Sequence, residues 1–542
     1  MNNRSLLPLS SSPRAARLLR AAWLVLLASR LLLPGRGALA DSDEARYRQS
    51  WAALAAAGQG NWREMCYALS STAGRPADAV WRLLPAAGQQ LLRQWLGWSL
   101  EDPRSLLVPV LGNVLTVTAS AWMFYRICQR LLAAEGARRD LWALLAAVLY
   151  AGLANTNLYV RHVLPYDSAL LVFFGLLNVV LQQSARPSVG FFGWLGVGAG
   201  LLFLLYPGYY AGPVLLLAPL LPWQPARLPR RYAGRVVVFG LGAGLPLLAA
   251  EALSRAGGGP PYWAVAYDLS RGILQGAPEE GYSFLGKYLL QVEGPLGALL
   301  LLLLFLALCR VPLAPSRLGR LSWAGWRPRS RRARLLAAAA VLFLAHATAA
   351  AMLHRIVWYG RLLHLYLPLL VLAGVAALAA TIRAWPARRI TALALAGAAL
   401  SLGSFGLFLR GYLGLAYPPN VLWDNRVGAL PPGQVRRLNE VRVAPGMLYP
   451  LPLPGPGPVA EVGDSLTVLL NCAHLYPLTA ATRLPPVVFG PGARVLFDGP
   501  YYDAFRPYTF DGLAPAERAE AARRRFRVRI VRVPRAAAST LP

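Results

Sequence analysis

Runs of about 20 mostly apolar residues recur along this chain to about residue 410, and that recurrence constrains the fold more than any other feature. Such a run matches the hydrocarbon core of a bilayer, where only helices and closed barrels satisfy their backbone polar groups internally. The runs fall at 17–37, 105–125, 141–160, 163–182, 188–206, 207–223, 235–253, 294–312, 335–353, 359–381 and 390–409. They predict a mainly α polytopic membrane protein with about eleven transmembrane helices. The 188–223 stretch is too long for one crossing, and Tyr206-Pro207-Gly208 divides it, because Pro and Gly together break a helix. A charged fraction of 15%, against about a quarter in ordinary soluble domains, excludes a disordered or cytosolic chain.

The distribution of Arg gives an independent test of the count, since cytoplasmic loops carry an excess of basic residues. With the N-terminus inside, the inner segments hold Arg14, Arg17 and Arg20, then Arg126, Arg130, Arg138 and Arg139, then Arg227, Arg230 and Arg231. The 310–334 loop adds eight Arg residues, and Arg383, Arg388 and Arg389 lie in the last inner loop. Only Glu135 and Asp140 are acidic on that side, whereas Asp41, Asp43, Glu44, Glu64, Asp78, Glu101, Asp102, Asp268, Glu279 and Glu280 fall outside. The net charge of +31 is thus explained by membrane topology, and no nucleic-acid partner is expected. The expected location is the plasma (inner) membrane, N-terminus cytoplasmic and C-terminus extracytoplasmic. Residues 1–40 also resemble a signal peptide, with Ala38-Leu39-Ala40 before Asp41, but Arg30 interrupts the apolar core and favours a retained span.

Two outer loops are long, 41–104 and 254–293. The first holds helical patterns suited to the membrane interface: Tyr47, Trp51 and Leu54 on one face, then Leu91, Leu92, Trp95 and Leu96. From Gly411 the composition changes. Pro-rich sequence over 418–458 excludes regular helix, and runs at 465–470, 486–489, 494–497 and 526–533 read as strands, with a short charged helix over 514–525. The expected organisation is a membrane domain over 1–410 and a small α/β extracytoplasmic domain over 411–542. Cys66 and Cys472 both fall outside; two free thiols is the favoured reading, a disulfide the alternative.

Ionisable residues at membrane depth are the candidates for chemistry. The first cluster is Asp41-Ser42-Asp43-Glu44-Ala45-Arg46-Tyr47, directly after the first span. Asp41 with Glu44 also fits a helix capping box, and Arg46 and Arg48 fit helical pairing with the acids. The second is Asp167, at the outer end of the fourth span, either functional or paired to Arg161 or His162. The third is the turn holding His354, Arg355, Arg361 and His364, whose cations suit a phosphate or snorkel to lipid headgroups.

Asp43-Glu44-Ala45-Arg46-Tyr47, followed by Gly60-Asn61-Trp62, resembles the first outer loop of the family 39 glycosyltransferases. That family includes protein O-mannosyltransferases and the aminoarabinose transferases that modify lipid A. The likeness extends in outline to an Asp heading span four and to Arg361 with Pro368 near the last spans. It implies the GT-C fold, a polyprenyl-phosphate-linked sugar as donor, and a lipid, glycan or protein acceptor on the outer face. It places the catalytic carboxylate at Asp43, with Glu44 beside it and Asp167 as the second acidic position. Arg46, Arg161, His354, Arg355, Arg361 and His364 are then the donor-phosphate cations. Many bacterial members carry Lys-Gly after the fifth-span region, where this chain has Tyr206-Pro207-Gly208-Tyr209-Tyr210, so another cation must serve. No metal-ligand cluster is evident and no cofactor is expected, although Asp43 with Asp167 could hold one divalent ion. The alternative reading is a polytopic transporter or lipid-linked-sugar flippase, for which mid-span charges or internal repeats would be the signs.

Overall fold

The computed structural model describes residues 13–35, 44, 46–70, 76–100, 102–183, 187–221, 230–274, 281–309, 330–353 and 360–415. Beyond these it describes 435–438, 457–462, 465–471, 492, 494–500, 505–512, 515, 518–519 and 527–534. The described residues open with α1 (Pro13–Ser29), then four helices in the first long loop: α2 (Tyr47–Gly58), α3 (Trp62–Ser70), α4 (Pro76–Trp81) and α5 (Leu83–Leu96). Next come α6 (Pro103–Leu131), α7 (Arg139–Ala151), α8 (Tyr166–Gln182), α9 (Val189–Leu205), α10 (Gly212–Leu217) and α11 (Arg230–Ala256). The second long loop forms α12 (Tyr262–Leu274) and α13 (Ser283–Gln291), followed by α14 (Gly294–Cys309), α15 (Arg331–Leu353), α16 (Gly360–Thr381) and α17 (Ala387–Leu413).

Five of these, α6, α11, α15, α16 and α17, are long and apolar enough to cross a membrane; α8, α9 and α14 are apolar but shorter. The expected span at 207–223 folds instead as a 3-10 turn and the six residues of α10. At about 1.5 Å per residue α10 falls far short of a bilayer core of about 30 Å. The break expected at Tyr206 is present: α9 stops at Leu205 and Tyr206 is extended (φ −148, ψ 101), as a residue before proline prefers.

The centre of the bundle is α7, on which every residue from Leu141 to Ala151 is buried. A helix apolar on all sides must be enclosed, and α1, α6, α16 and α17 surround it. Arg residues of α15 bond backbone carbonyls at the ends of neighbouring segments. Arg331 donates to Leu181 O and Gln183 O at the end of α8 (3.1 and 2.8 Å), and Arg334 donates to Pro219 O (2.6 Å). These satisfy carbonyls that a helix terminus leaves without partners. α9 and α11 pack through glycine: a Cβ on Gly196 would stand 2.1 Å from Phe239 O.

In the first long loop, Leu91, Trp95 and Leu96 of α5 are exposed, Trp95 by 77%, the pattern expected of an interfacial helix. α2 departs from the expectation. Tyr47 and Trp51 pack inward, with Tyr47 Oη and Trp51 Nε1 both donating to Gln89 Oε1 (2.5 and 3.0 Å).

Past α17, an antiparallel sheet runs in the order β1-β2-β3-β5-β4: β1 (Val435–Leu438), β2 (Gly457–Val462), β3 (Ser465–Asn471), β4 (Arg494–Pro500) and β5 (Arg527–Pro534). β3, β4 and β5 coincide with three of the expected runs. The run at 486–489 and most of 514–525 lie outside the described residues. A last helix, α18 (Arg506–Gly512), packs against α13 and α16.

Candidate functional site

The site is built on the segment between α7 and α8, residues 152–165, which is buried throughout. A buried loop must find partners for its backbone groups, and here side chains supply them. Glu293, ahead of α14, accepts from Ala154 N and Asn155 N (2.6 and 2.9 Å). Asn155 Nδ2 bonds Tyr288 Oη and Gly360 O (2.7 and 2.9 Å), and Asn157 Nδ2 donates to Ala151 O and Leu153 O. Asn113 donates to His162 O, and Arg82, held by Asp78 at 2.7 Å, donates to Val163 O. Burial pushes the Glu293 carboxyl up to about 7, against the downward pull of its two backbone donors. None of Asn113, Asn155, Asn157, Glu293 or Arg82 stood out in the sequence. The polar run Asn155-Thr156-Asn157 between two apolar spans was the available signal.

Asp167 opens α8 and is 3% exposed. Its partner is neither Arg161 nor His162 but His364 of α16, whose Nε2 lies 3.4 Å from Asp167 Oδ1. Three residues before His364, Arg361 Nη1 donates to Tyr166 Oη (2.7 Å). Tyr159, Tyr166 and Tyr206 surround the pair, with the Tyr159 ring stacked on His364 at 6.1 Å and Tyr166 edge-on to Tyr206 at 4.7 Å. The Tyr206–Tyr210 segment thus lends rings to the site. Arg30, wholly buried after α1, donates to Asn157 Oδ1 (3.0 Å) and Val117 O (2.9 Å), and its charge acts on Asp167. The residue that broke the apolar pattern of the first span is therefore a buried counter-charge.

Glu44 is also fully buried. It does not cap α2, whose N-cap is Arg46 with no side-chain cap bond. Instead Glu44 Oε1 accepts from Val163 N, and Oε2 lies 3.2 Å from His162 Nδ1. This stitches the first outer loop to the segment leading into Asp167. Arg161 donates from Nη2 to Tyr412 O (2.8 Å) and covers the Tyr412 ring at 3.5 Å, which ties it to α17. Asp41, Asp43, His354, Arg355 and Cys472 lie outside the described residues, and Cys66 is a free thiol. Among the described residues no group of three or more His, Cys, Asp or Glu is placed to hold a metal ion.

An apolar cavity of about 230 Å³ opens between α14, α15 and α16. Its walls include Leu304, Leu336, Phe343, Tyr366, Leu367 and Leu370. Tyr366 and Leu367 lie two and three residues after His364, so α16 contributes both to the polar cluster and, on another face, to the apolar wall.

Five helices long and apolar enough to span, with a buried polar cluster at one end, define a polytopic helical membrane protein. Among solved structures the chain is similar to the crystal structure of ArnT from Cupriavidus metallidurans bound to undecaprenyl phosphate: 16% identity over 80% of this chain and 83% of that one, TM-score 0.48. No family model and no curated protein matches the chain.

Proposed function

We propose that this protein is a membrane glycosyltransferase that moves a sugar from a polyprenyl-phosphate-linked donor to a lipid, glycan or protein acceptor on the outer face. The observation that carries the reading is the buried polar cluster at one end of the bundle, where Arg361 and His364 of α16 meet Tyr166 and Asp167 of α8. Ionisable groups gathered at membrane depth suit an anionic lipid head. In this reading the acceptor hydroxyl attacks C1 of the sugar while Asp43 takes its proton. The C1–O bond to phosphate breaks, and Arg361, with His354, Arg355 and the His364 imidazole, stabilises the departing phosphate. Direct displacement inverts the configuration at C1. Residues 1–410 form the transferase domain and 411–542 the extracytoplasmic domain, in the plasma membrane with the N-terminus inside.

The test is turnover. Purified protein in nanodiscs is given undecaprenyl-phosphate hexoses and pentoses, or the matching sugar nucleotides, with extracted envelope lipid and glycan as acceptors. Release of undecaprenyl phosphate from at least one lipid-linked sugar supports the reading. Turnover of sugar nucleotides alone would refute it.

A further inference from the structure

Val163, four residues before Asp167, is held through its side chain and through both of its backbone groups. The side chain packs in an apolar cluster with Tyr47 and Trp51 of α2, Ala86 of α5, and Leu106 and Val110 of α6. The N–H donates to Glu44 Oε1, and the carbonyl accepts from Arg82 Nη1. Arg82 follows α4 directly, and its Nε donates to Asp78 Oδ1 one turn back on that helix (2.7 Å). That i, i+4 spacing brings an acid and a base together. The side chains of Arg82 and Asp78 are only 6% and 4% exposed. Ser50 of α2 donates to Ala79 O (3.1 Å), which ties α2 to α4 beside the pair.

An ion pair buried this deeply is a poor source of stability, because desolvation of the two charges offsets most of their attraction. Apolar side chains of the same volume often stabilise a fold as well or better. What an apolar pair cannot do is donate to a carbonyl. The planar guanidinium does both, meeting the carboxylate at Nε and Val163 O at Nη1, with its direction fixed by Asp78.

We propose that Asp78 and Arg82 are positioning residues: together they aim a donor at Val163 O and lock the first long loop to the segment that leads into α8. With Glu44 on the N–H of the same residue, Val163 is the joint between the two acidic positions of the site, the Asp43–Glu44 pair and Asp167. The bearing of the lock on turnover rests on the transferase reading above, in which Asp43 takes the acceptor's proton. The lock itself does not.

The test uses the full chain in nanodiscs. Asp78→Leu and Arg82→Met each strand one buried charge and should lower the melting midpoint. The double variant, Asp78→Leu with Arg82→Met, strands none and should melt above both. If the pair served stability alone, exchange and turnover would recover along with the melting midpoint. Amide hydrogen exchange over 158–164 should instead be about tenfold faster in the double variant, as local opening requires, with 169–180 of α8 unchanged. With undecaprenyl-phosphate hexose as donor, kcat in the double variant should fall about tenfold or more, as for a misplaced reacting group. KM should stay within about twofold, since the groups proposed for the phosphate on α16 are untouched. Arg82→Lys is a second route. It keeps a charge beside Asp78 and so should fold, but its nitrogen ends one bond short of Nη1, and the same faster exchange is expected. Wild-type exchange in the double variant and in Arg82→Lys overturns the proposal, and a normal kcat in the double variant overturns the positioning role. Faster exchange in the variants, from a wild type that turns over no lipid-linked sugar, would leave the lock standing and remove the transferase reading.

Discussion

Replacing Asp167 by Asn tests the outer-end site where its geometry is fully described. The change keeps the side-chain volume at the buried head of α8, so the fold should survive. What is lost is a buried carboxyl group that can give or take a proton, 3.4 Å from His364 Nε2. Asp43 takes the acceptor proton in the proposed reaction, so Asp167 acts as a positioning group; losing a contact made only in the transition state costs about 10²–10³ in rate, or roughly 3–4 kcal/mol of barrier. His364→Gln alone should cost less, since it leaves the carboxylate in place. If the two act as a unit, the double variant should fall no further than Asp167→Asn, because neighbours in one network do not add. The assay is sugar release from the donor that the wild type turns over, normalised to protein that elutes as a monodisperse peak. Near-normal turnover in folded Asp167→Asn would refute the reasoning and leave the pair a structural contact. Full additivity in the double variant would break the coupling.

Gly196→Ala places a Cβ 2.1 Å from Phe239 O, so α9 and α11 must part by roughly 1 Å. Overpacking of this kind costs about 1–3 kcal/mol, read as a lower melting midpoint in detergent, whereas Gly190→Ala, with nothing within 4 Å, should leave it unchanged. Glu293, raised to about 7 by burial, holds a proton in the folded state that the unfolded chain releases between its ordinary carboxylate value and about 7. Stability should therefore fall as pH rises through that window, by up to about 1.4 kcal/mol per pH unit, and level off above it. Melting curves across pH 4.5–8 check this, and Glu293→Gln should lack the slope. For orientation, a reporter fused between Arg327 and Arg334 should read cytoplasmic and one at the C-terminus external; both ends on one face would contradict the proposed topology.

Much of the helical layout was legible because hydropathy is a local property, and each apolar run from 17 to 409 contains helix. The break at Tyr206 followed from Pro207, and β5 from the alternation over Phe526–Val533. What spacing could not show were partners brought together by the fold. The i, i+3 relation of Asp41 and Glu44 suggested a cap, yet Glu44 serves a backbone N–H more than a hundred residues away. Asp167 had cations close in sequence, Arg161 and His162, but α16 supplies its partner. β1 and β2 fall at or beside a Pro-rich stretch and owe their form to pairing across the sheet, Pro458 opposite Arg437. Length was the other weak point. The run at 207–223 is apolar enough for a span, but its helix ends after six residues.

The central claim is that the acidic pair after the first span contains the base for glycosyl transfer. The direct measurement is the turnover number of purified, folded Asp43→Asn with an undecaprenyl-phosphate sugar, alongside its affinity for undecaprenyl phosphate. The account predicts turnover lower by about two to four orders of magnitude, the range for loss of a general base, with lipid phosphate binding largely kept. Near-wild-type specific activity would contradict it.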